Sequence, residues 1–180
     1  MSTTAGRLAR IHRACFTTPR PWSEAEFAGL LGEPGVVLSE VPEGFALARI
    51  AGDEAELLTI AVLPASRRRG RARAALQATE AALRARGVAR IFLEVAADNA
   101  AARALYAACG YETVGRRPGY YRGRAPADDR AQRTAPAGDP ARPARPATSA
   151  TSATSATSAR RAPAGDALIL ARRLGSPPPP

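Results

Sequence analysis

The chain has 180 residues, of which 46% are hydrophobic, and a formal net charge of +10. This length suffices for one domain with a hydrophobic core, but not for two. Cys15 and Cys109 form no disulfide framework and lack metal-ligand spacing, and the single His12 cannot supply a zinc site or an ordinary Ser-His-Asp triad. We therefore expect no metal. Arginine carries all the positive charge, because lysine is absent; this implies attraction to polyanions or a merely solvated surface.

The first part of the chain is predicted to contain two helices and three strands. Apolar residues from Leu8 to Phe16 recur at helical spacing, and Ser23 with Glu26 forms a capping box at the start of a second helix. A Gly-Asp turn at 52–53 separates two apolar stretches, which is typical of a hairpin. The predicted helices are Leu8–Phe16 and Glu24–Leu31, and the predicted strands are Val36–Val41, Phe45–Ala51 and Glu54–Val62.

The middle of the chain is predicted to continue as alternating helices and strands. The elements are helix Ala72–Arg86, strand Arg90–Ala96, helix Asn99–Ala108 and strand Tyr111–Arg116. A meander that runs into a βαβα segment predicts an α/β fold of the mixed α+β kind, with a central, mostly antiparallel sheet flanked by helices. No apolar run reaches the about 20 residues of a membrane span, and no signal peptide is evident. We expect a cytoplasmic protein without membrane contact.

The composition changes after Tyr121. Residues 122–165 are rich in Pro, Ala and Arg and include four Ala-Thr-Ser repeats, which cannot offset the entropy of their own ordering. We predict that this insertion and the tail 175–180 are disordered. Residues 166–174 are strand-like again, and closing a long loop costs little more than closing a short one. They are therefore expected to return to the domain formed by residues 1–121.

A strand, a basic loop and a helix follow one another between Ile60 and Arg86. Gly70 and Ala72 allow close approach to the backbone, and the first helical turn offers free N–H groups and the positive end of the helix dipole. This arrangement predicts an anion site. The loop lacks the Gly-Lys-Ser/Thr of a P-loop, which excludes that class of NTPase. A basic loop that merely caps a helix remains the alternative.

Two polar features follow this loop. Glu94 is the lone carboxylate in the apolar strand Ile91–Val95, where burial would increase its proton affinity toward that of a general base, unless it is a surface residue on an edge strand. On the next helix, the sequence predicts a polar face and a core-facing stripe. The polar face comprises Asn99, Arg103 and Tyr106, and the stripe comprises Ala101, Leu105 and Ala108. A tyrosine that simply packs at the helix end is the alternative.

These segments resemble the GNAT superfamily, and specifically its bacterial ribosomal-protein-alanine N-terminal acetyltransferases. Arg67, Gly70 and Ala72 fit the pyrophosphate signature Gln/Arg-x-x-Gly-x-Gly/Ala, with Ala in place of the commoner second Gly. The other similar segments are Pro21–Glu24, Ile60–Val62, Leu93–Val95, Asp98–Ala102, Ala104–Tyr106, Gly110–Tyr111 and Arg116–Tyr121. The resemblance covers about residues 5–121 and resumes at 166–174, so the long insertion departs from the family.

The resemblance implies a GNAT acyltransferase fold and a role for each site residue. Glu94 would be the general base and Tyr106 the general acid. The residues implied to bind acetyl-CoA are Ile60, Ala61, Val62, Arg67, Arg68, Arg69, Gly70, Arg71, Ala72, Arg73 and Asn99. Trp22, Tyr120 and Tyr121 would shape the groove for the acceptor peptide.

The implied activity is transfer of an acetyl group from acetyl-CoA to a protein N-terminus. The expected acceptor is the N-terminal alanine of a small ribosomal-subunit protein, and the enzyme is expected to act as a monomer that binds no specific nucleic acid. A GNAT enzyme for lysine side chains or a small amine is the alternative. An RNA-binding module with a vestigial cofactor site is a third possibility, although its arginines lack interleaved aromatic residues.

Overall fold

The computed structural model describes residues 2–17, 20–120 and 165–175. They form one six-stranded sheet with helices on both faces. The helices are α1 (Thr4–Cys15), α2 (Glu24–Leu31), α3 (Arg71–Ala85) and α4 (Ala100–Ala108), with a short 3-10 turn at Pro64–Ser66. The strands are β1 (Val36–Val41), β2 (Gly44–Ala51), β3 (Glu54–Val62), β4 (Arg90–Ala96), β5 (Glu112–Arg117) and β6 (Ala167–Arg173).

The strand order is β1-β2-β3-β4-β6-β5, and every neighbouring pair except β3–β4 is antiparallel. This mixed, mostly antiparallel sheet confirms the predicted fold class. The strand that follows the insertion, β6, lies between β4 and β5 and pairs with both. Most of the insertion predicted to be disordered (122–165) and of the tail (175–180) lies outside the described residues.

The sheet separates two hydrophobic cores. On one face, α3 and α4 pack with buried residues such as Leu76, Leu93 and Tyr106. On the other, α1 and α2 pack over β1–β3 with residues such as Leu8 and Phe27. Because successive side chains of a strand point to opposite faces, β3 contributes to both cores.

The local signals at the ends of the helices mostly give the observed boundaries. The capping box of Ser23 and Glu26 is present, and α2 has its predicted bounds. Helix α1 begins four residues earlier than the apolar pattern predicts, because Thr3 provides an N-cap by accepting a hydrogen bond from the Gly6 N–H group. The Ala-Gly-Arg first turn has no large apolar residue to mark it, so the periodicity missed it.

Candidate active site

The parallel strands β3 and β4 are paired at one end only. Their register covers Glu54–Glu56 opposite Arg90–Phe92, and no further pairs between them occur in the described residues. Beyond this point the edge of β3 from residue 57 to 62 and the edge of β4 from residue 93 to 96 diverge. The divergence creates an opening in the middle of the sheet, and Glu94 lies on the β4 side of it.

The end of β3 brings Ile60, Ala61 and Val62 to this opening. All three are buried, with Ile60 in one core and Ala61 in the other. The Val62 carbonyl accepts hydrogen bonds from the Cys15 thiol at 3.3 Å and from the Arg67 Nε at 3.1 Å. These bonds fix the last residue of the strand, and burial raises the pKa of the Cys15 thiol, which argues against its use as a nucleophile.

The loop between β3 and α3 has the geometry of an anion site. Gly70 caps α3 in the left-handed conformation, with φ of 74°, and no protein atom lies within 4 Å of where a Cβ atom would stand. Arg68 is also left-handed, with φ of 61°, which is an unfavourable conformation for a side chain other than Asn or Asp. The tightly turned backbone therefore leaves open space at the N-terminus of a 15-residue helix.

The arginines of the loop do not all have the same role. Arg67 bonds to the Val62 carbonyl, Arg71 to the Pro42 carbonyl at 3.1 Å, and Arg73 to the Ala108 carbonyl at 2.9 Å. Arg68 and Arg69 are instead exposed beside the open N-terminus. Ala72 is half-buried and packs against the core beneath α3. The sequence analysis had assigned all of these residues to acetyl-CoA binding and did not distinguish the arginines that bond to the domain from those that are exposed.

Glu43 fastens this loop to the β1–β2 turn, and sequence reasoning missed it. Its carboxylate accepts hydrogen bonds from the Ser66 hydroxyl and from Arg71, and its carbonyl accepts from the Leu63 N–H group at 2.9 Å. These bonds lower the pKa of Glu43, chiefly through Ser66. Glu43 has a left-handed φ of 59°, a conformation that usually favours glycine. The contacts of its side chain and carbonyl stabilise this conformation.

Glu94 projects from β4 on the face opposite Leu93 and Val95, as its strand position predicted. Its side chain is only 12% exposed, and one oxygen, Oε1, lies 2.9 Å from Nη1 of Arg117 on β5. The other oxygen, Oε2, is buried and makes no hydrogen bond within the described residues. A buried carboxylate oxygen without a hydrogen-bond partner is unusual in a folded domain, so Glu94 is a candidate functional residue.

The predicted faces of α4 are partly wrong: Leu105 packs against the core and Arg103 is exposed, as predicted, but Tyr106 does not lie on the polar face. Tyr106 is fully buried and packs toward the core together with Ala102 and Cys109, whereas Ala101 and Ala108 are exposed. The pattern of small residues misled the prediction, because alanines give little contrast between the two faces, while the large Tyr106 ring decides which face is buried. The ring lies 5.6 Å from that of Tyr111.

Tyr106 and Glu94 lie on opposite faces of β4. Tyr106 shares the α3–α4 core with Leu93 and Val95, and Glu94 points the other way. Asn99 stands at the N-terminus of the same helix, where its Oδ1 caps the Ala102 N–H group at 3.1 Å. The phenol and the carboxylate thus flank the strand that forms one wall of the opening.

Trp22 lies on the same side of the sheet as Glu94. It packs at the edge of the α1–α2 core, where its ring stacks on that of His12 at 5.1 Å. The backbone N–H group of Trp22 donates a hydrogen bond to Nδ1 of His12 at 3.1 Å, so the histidine holds the backbone of the α1–α2 loop. Tyr120 lies under the guanidinium of Arg117, with Cζ 5.6 Å from the ring centroid. Tyr121 lies outside the described residues.

On the Glu94 side of the sheet, the sequence did not predict the positions of two residues, His12 and Arg117. His12 was considered only as a ligand or triad member, yet it is buried among aromatic rings. Arg117 precedes the Pro-Gly turn, and its position opposite Ala167 depends on a strand that follows 50 residues later. Only the charge pattern of strand β5 could have indicated it.

The described residues contain neither a candidate metal site nor a helix that could span a membrane. No cluster of His, Cys, Asp or Glu suited to a metal ion occurs in the part of the chain that the structure describes. Within the same ranges, no helix has the length and apolar character needed to cross a membrane.

A comparison with known families agrees with this geometry, which combines a split sheet, an open helix N-terminus, and a carboxylate and a phenol on either face of β4. Residues 7–111 fit the model of the Acetyltransferase (GNAT) family. This segment is more than half of the chain, so the chain belongs to the GNAT acetyltransferase family. It is an N-acetyltransferase that uses acetyl-CoA, as the resemblance implied.

Several individual members of the family are similar to this chain in sequence or structure. The [ribosomal protein bS18]-alanine N-acetyltransferase of Escherichia coli K12 is 42% identical over 105 residues, which cover 56% of this chain and 71% of that protein. The crystal structure of the Escherichia coli ribosomal-protein-S18-alanine N-acetyltransferase has a TM-score of 0.65, at 28% identity, and covers 97% of this chain and 90% of that one. An N-alpha-acetyltransferase of Mycobacterium tuberculosis is 37% identical over 127 residues, covering 66% and 78% respectively.

Proposed function

We propose that this enzyme acetylates the N-terminal α-amine of a protein, and that its acceptor is the N-terminal alanine of a ribosomal protein. Relatives named as bS18-alanine N-acetyltransferases support this acceptor. Ribosomal proteins are made in the cytoplasm, and the proposal places the enzyme there, as a monomer that needs neither a metal nor a nucleic acid. Acetylation of lysine side chains or of a small amine is the alternative.

The observation that carries the proposal is the opening between β3 and β4. An unpaired strand edge from residue 57 to 62 offers backbone donors and acceptors to a ligand with amide groups of its own, such as the pantetheine arm. The arm leads toward Gly70 and the N-terminus of α3, which favours the diphosphate, with Arg68 and Arg69 beside it. Asn99 at the start of α4 would contact the cofactor from the other wall.

The chemistry that remains for the protein is modest. An α-amine has a pKa of about 7.7–8.0, so a weak base suffices to remove its proton at neutral pH. We assign this step to Glu94, whose buried Oε2 has no other hydrogen-bond partner in the described residues. The amine then attacks the thioester carbonyl directly, and a backbone N–H group of Ile60–Val62 stabilises the oxyanion.

Tyr106 is the proposed general acid for the departing thiolate. It is fully buried on the face of β4 opposite Glu94, so proton removal and proton delivery take place on different sides of the strand. Trp22 and Tyr120 would form the walls of the acceptor groove on the Glu94 side, and Tyr121 is included in that assignment from the sequence. Direct transfer needs no nucleophilic cysteine, in agreement with the burial of Cys15 and Cys109.

A pair of matched peptides tests the acceptor. One begins with a free alanine and contains no lysine; the other has the same sequence with a blocked N-terminus and one internal lysine. We expect labelled acetyl transfer from acetyl-CoA to the first peptide alone. Transfer to the second peptide alone would refute the α-amine proposal in favour of the lysine alternative. Intact masses of ribosomal proteins from cells with and without the gene would then identify the natural acceptor.

Two isosteric variants test the catalytic assignment. Glu94→Gln and Tyr106→Phe should each lower kcat by about 10²-fold, the usual contribution of one acid–base group. The affinity for acetyl-CoA, measured by calorimetry, should change little, because neither change removes a proposed binding group. If both variants keep the turnover of the wild type, the assignment of base and acid is wrong.

A further inference from the structure

Arg117 is the charged side chain that contacts Glu94 in the described residues. Its Nη1 lies 2.9 Å from Oε1 of Glu94, so the guanidinium and the carboxylate form a direct ion pair. The two residues differ in exposure, since the Glu94 side chain is 12% exposed and that of Arg117 is 44% exposed. The carboxylate is thus enclosed, while its partner reaches it from the surface.

The sheet register explains how the two side chains meet across a whole strand. Arg117 is paired with Ala167 on β6, and Ala167 is in turn paired with Ala96 on β4, two residues from Glu94. Small side chains at 167 and 96 leave space above β6, so the long arginine can cross it. The uncharged Ile169 stands directly opposite Glu94.

The position of Arg117 is fixed from two sides. Its guanidinium lies over the Tyr120 ring, a favourable cation–π arrangement. The turn that follows is held by Asp166, which accepts hydrogen bonds from the Gly119 N–H group at 2.8 Å and from Arg116 Nε at 2.6 Å. A surface ion pair between two free side chains stabilises little, but here both partners are constrained.

The pairing leaves the two oxygens of Glu94 in different states. Oε1 is bound to Arg117, whereas Oε2 is buried and makes no hydrogen bond within the described residues. A carboxylate held at one oxygen cannot rotate freely, so the second oxygen keeps a constant direction.

We propose that Arg117 is a positioning residue for acetyl transfer, which holds Oε1 of Glu94 so that Oε2 is directed at the acceptor amine. The inference rests on the proposed function, in which Glu94 is the base. Arg117 acts through Glu94 and donates no proton itself. Its removal should therefore impair the chemical step, and only in an enzyme that still has the carboxylate.

A double-mutant cycle tests this dependence. Arg117→Met keeps the aliphatic stem over Tyr120 but removes the charge, and Arg117→Lys restores a cation. Each change is made in the wild type and in Glu94→Gln, and kcat and KM are measured with the alanine peptide and with acetyl-CoA. Arg173→Ala, at the exposed far end of β6, controls for the loss of one positive charge. Fluorescence of Trp22, the single tryptophan, verifies that each variant is folded.

The expected pattern is a large effect in one background only. Arg117→Met should lower kcat about tenfold in the wild type and less than about twofold in Glu94→Gln, because residues that act as a unit are not additive. KM for acetyl-CoA should stay constant, Arg117→Lys should recover part of the loss, and Arg173→Ala should behave as the wild type.

Two results would overturn the inference, and they are distinguishable. Equal losses of kcat from Arg117→Met in both backgrounds would show that Arg117 acts independently of Glu94, while the proposed function stands. Unchanged kcat in Glu94→Gln itself would remove the base, and with it both the catalytic assignment and the need for a positioning residue. If Arg117→Met is unfolded by fluorescence, Arg117→Lys takes its place in the cycle, and equal losses of kcat in both backgrounds would then overturn the inference in the same way.

Discussion

The burial of His12 predicts that the domain loses stability in mild acid. The imidazole is 4% exposed, with its ring stacked on Phe16 at 4.1 Å and on Trp22 at 5.1 Å. Nδ1 accepts a hydrogen bond from the Trp22 N–H group, which requires that this nitrogen be unprotonated. Burial lowers the pKa of His12 from 6.5 to about 4, with a smaller opposing effect of Glu26.

The sign and size of the effect follow from proton linkage. Because the unfolded chain binds the proton near pH 6.5 and the folded chain only near pH 4, stability is complete above pH 6.5 and falls as the pH is lowered to about 4. At 1.36 kcal/mol per pKa unit, the loss amounts to about 3 kcal/mol at most. That is a large fraction of the 5–15 kcal/mol typical of a folded domain.

Urea unfolding, followed by Trp22 fluorescence at several pH values from about 7.5 to about 4, covers the range between the two pKa values of His12 and measures the loss directly. His12→Asn is the matched control, since its Oδ1 keeps an acceptor for the Trp22 N–H group but does not titrate. The wild type should lose about 3 kcal/mol more than the variant over this range. Hydrogen bonds from Arg20 and Ser23 lower the pKa of Glu26 to about 2. The wild type and the variant both have these interactions, so their loss in acid affects the two proteins equally. Equal pH dependence in the two proteins would refute the reasoning.

Two further changes test buried contacts of the domain. Glu80 is buried beneath Arg172, at 2.6 Å, and Glu80→Gln should lower the free energy of unfolding by about 3 kcal/mol in urea titration, because two arginines lose their counter-ion; a loss too small to measure would contradict this. At Gly44, a Cβ atom would lie 2.8 Å from the Ala61 carbonyl oxygen, so Gly44→Ala should cost about 1–3 kcal/mol and raise KM for acetyl-CoA. Gly29→Ala, which meets no atom within 4 Å on α2, should be neutral or stabilising, and equal behaviour of the two variants would exclude a steric cause.

Local sequence signals predicted the elements well because most of them depend on near neighbours. Strands β1, β3 and β4 have their predicted bounds, and the capping box set the start of α2. Alternation along β4 correctly separated Glu94 from Leu93 and Val95. The start of α3 after Gly70 was also predicted to within one residue, because a glycine at a helix start after a strand is a local pattern.

Contacts between distant segments were beyond the reach of the sequence. Glu43 bonds to Arg71 across 28 residues, and Arg117 meets Glu94 only because β6 places its small Ala167 between them. Tyr106 was predicted on the wrong face of α4, because the buried face depends on where the Tyr106 ring packs in the assembled domain and not on the helix alone. Register and burial of this kind require the assembled sheet.

The position of β6 has a consequence for the order in which the enzyme is completed. Within the sheet of the described residues, β5 is joined to the other strands only through β6, which follows all of them in the chain. Arg117 therefore cannot settle opposite Ala167 until the chain has been made at least as far as β6. A nascent chain halted before that point has α3 and the loop that precedes it but not the contact between Arg117 and Glu94, so this contact forms only after β6 has been synthesised.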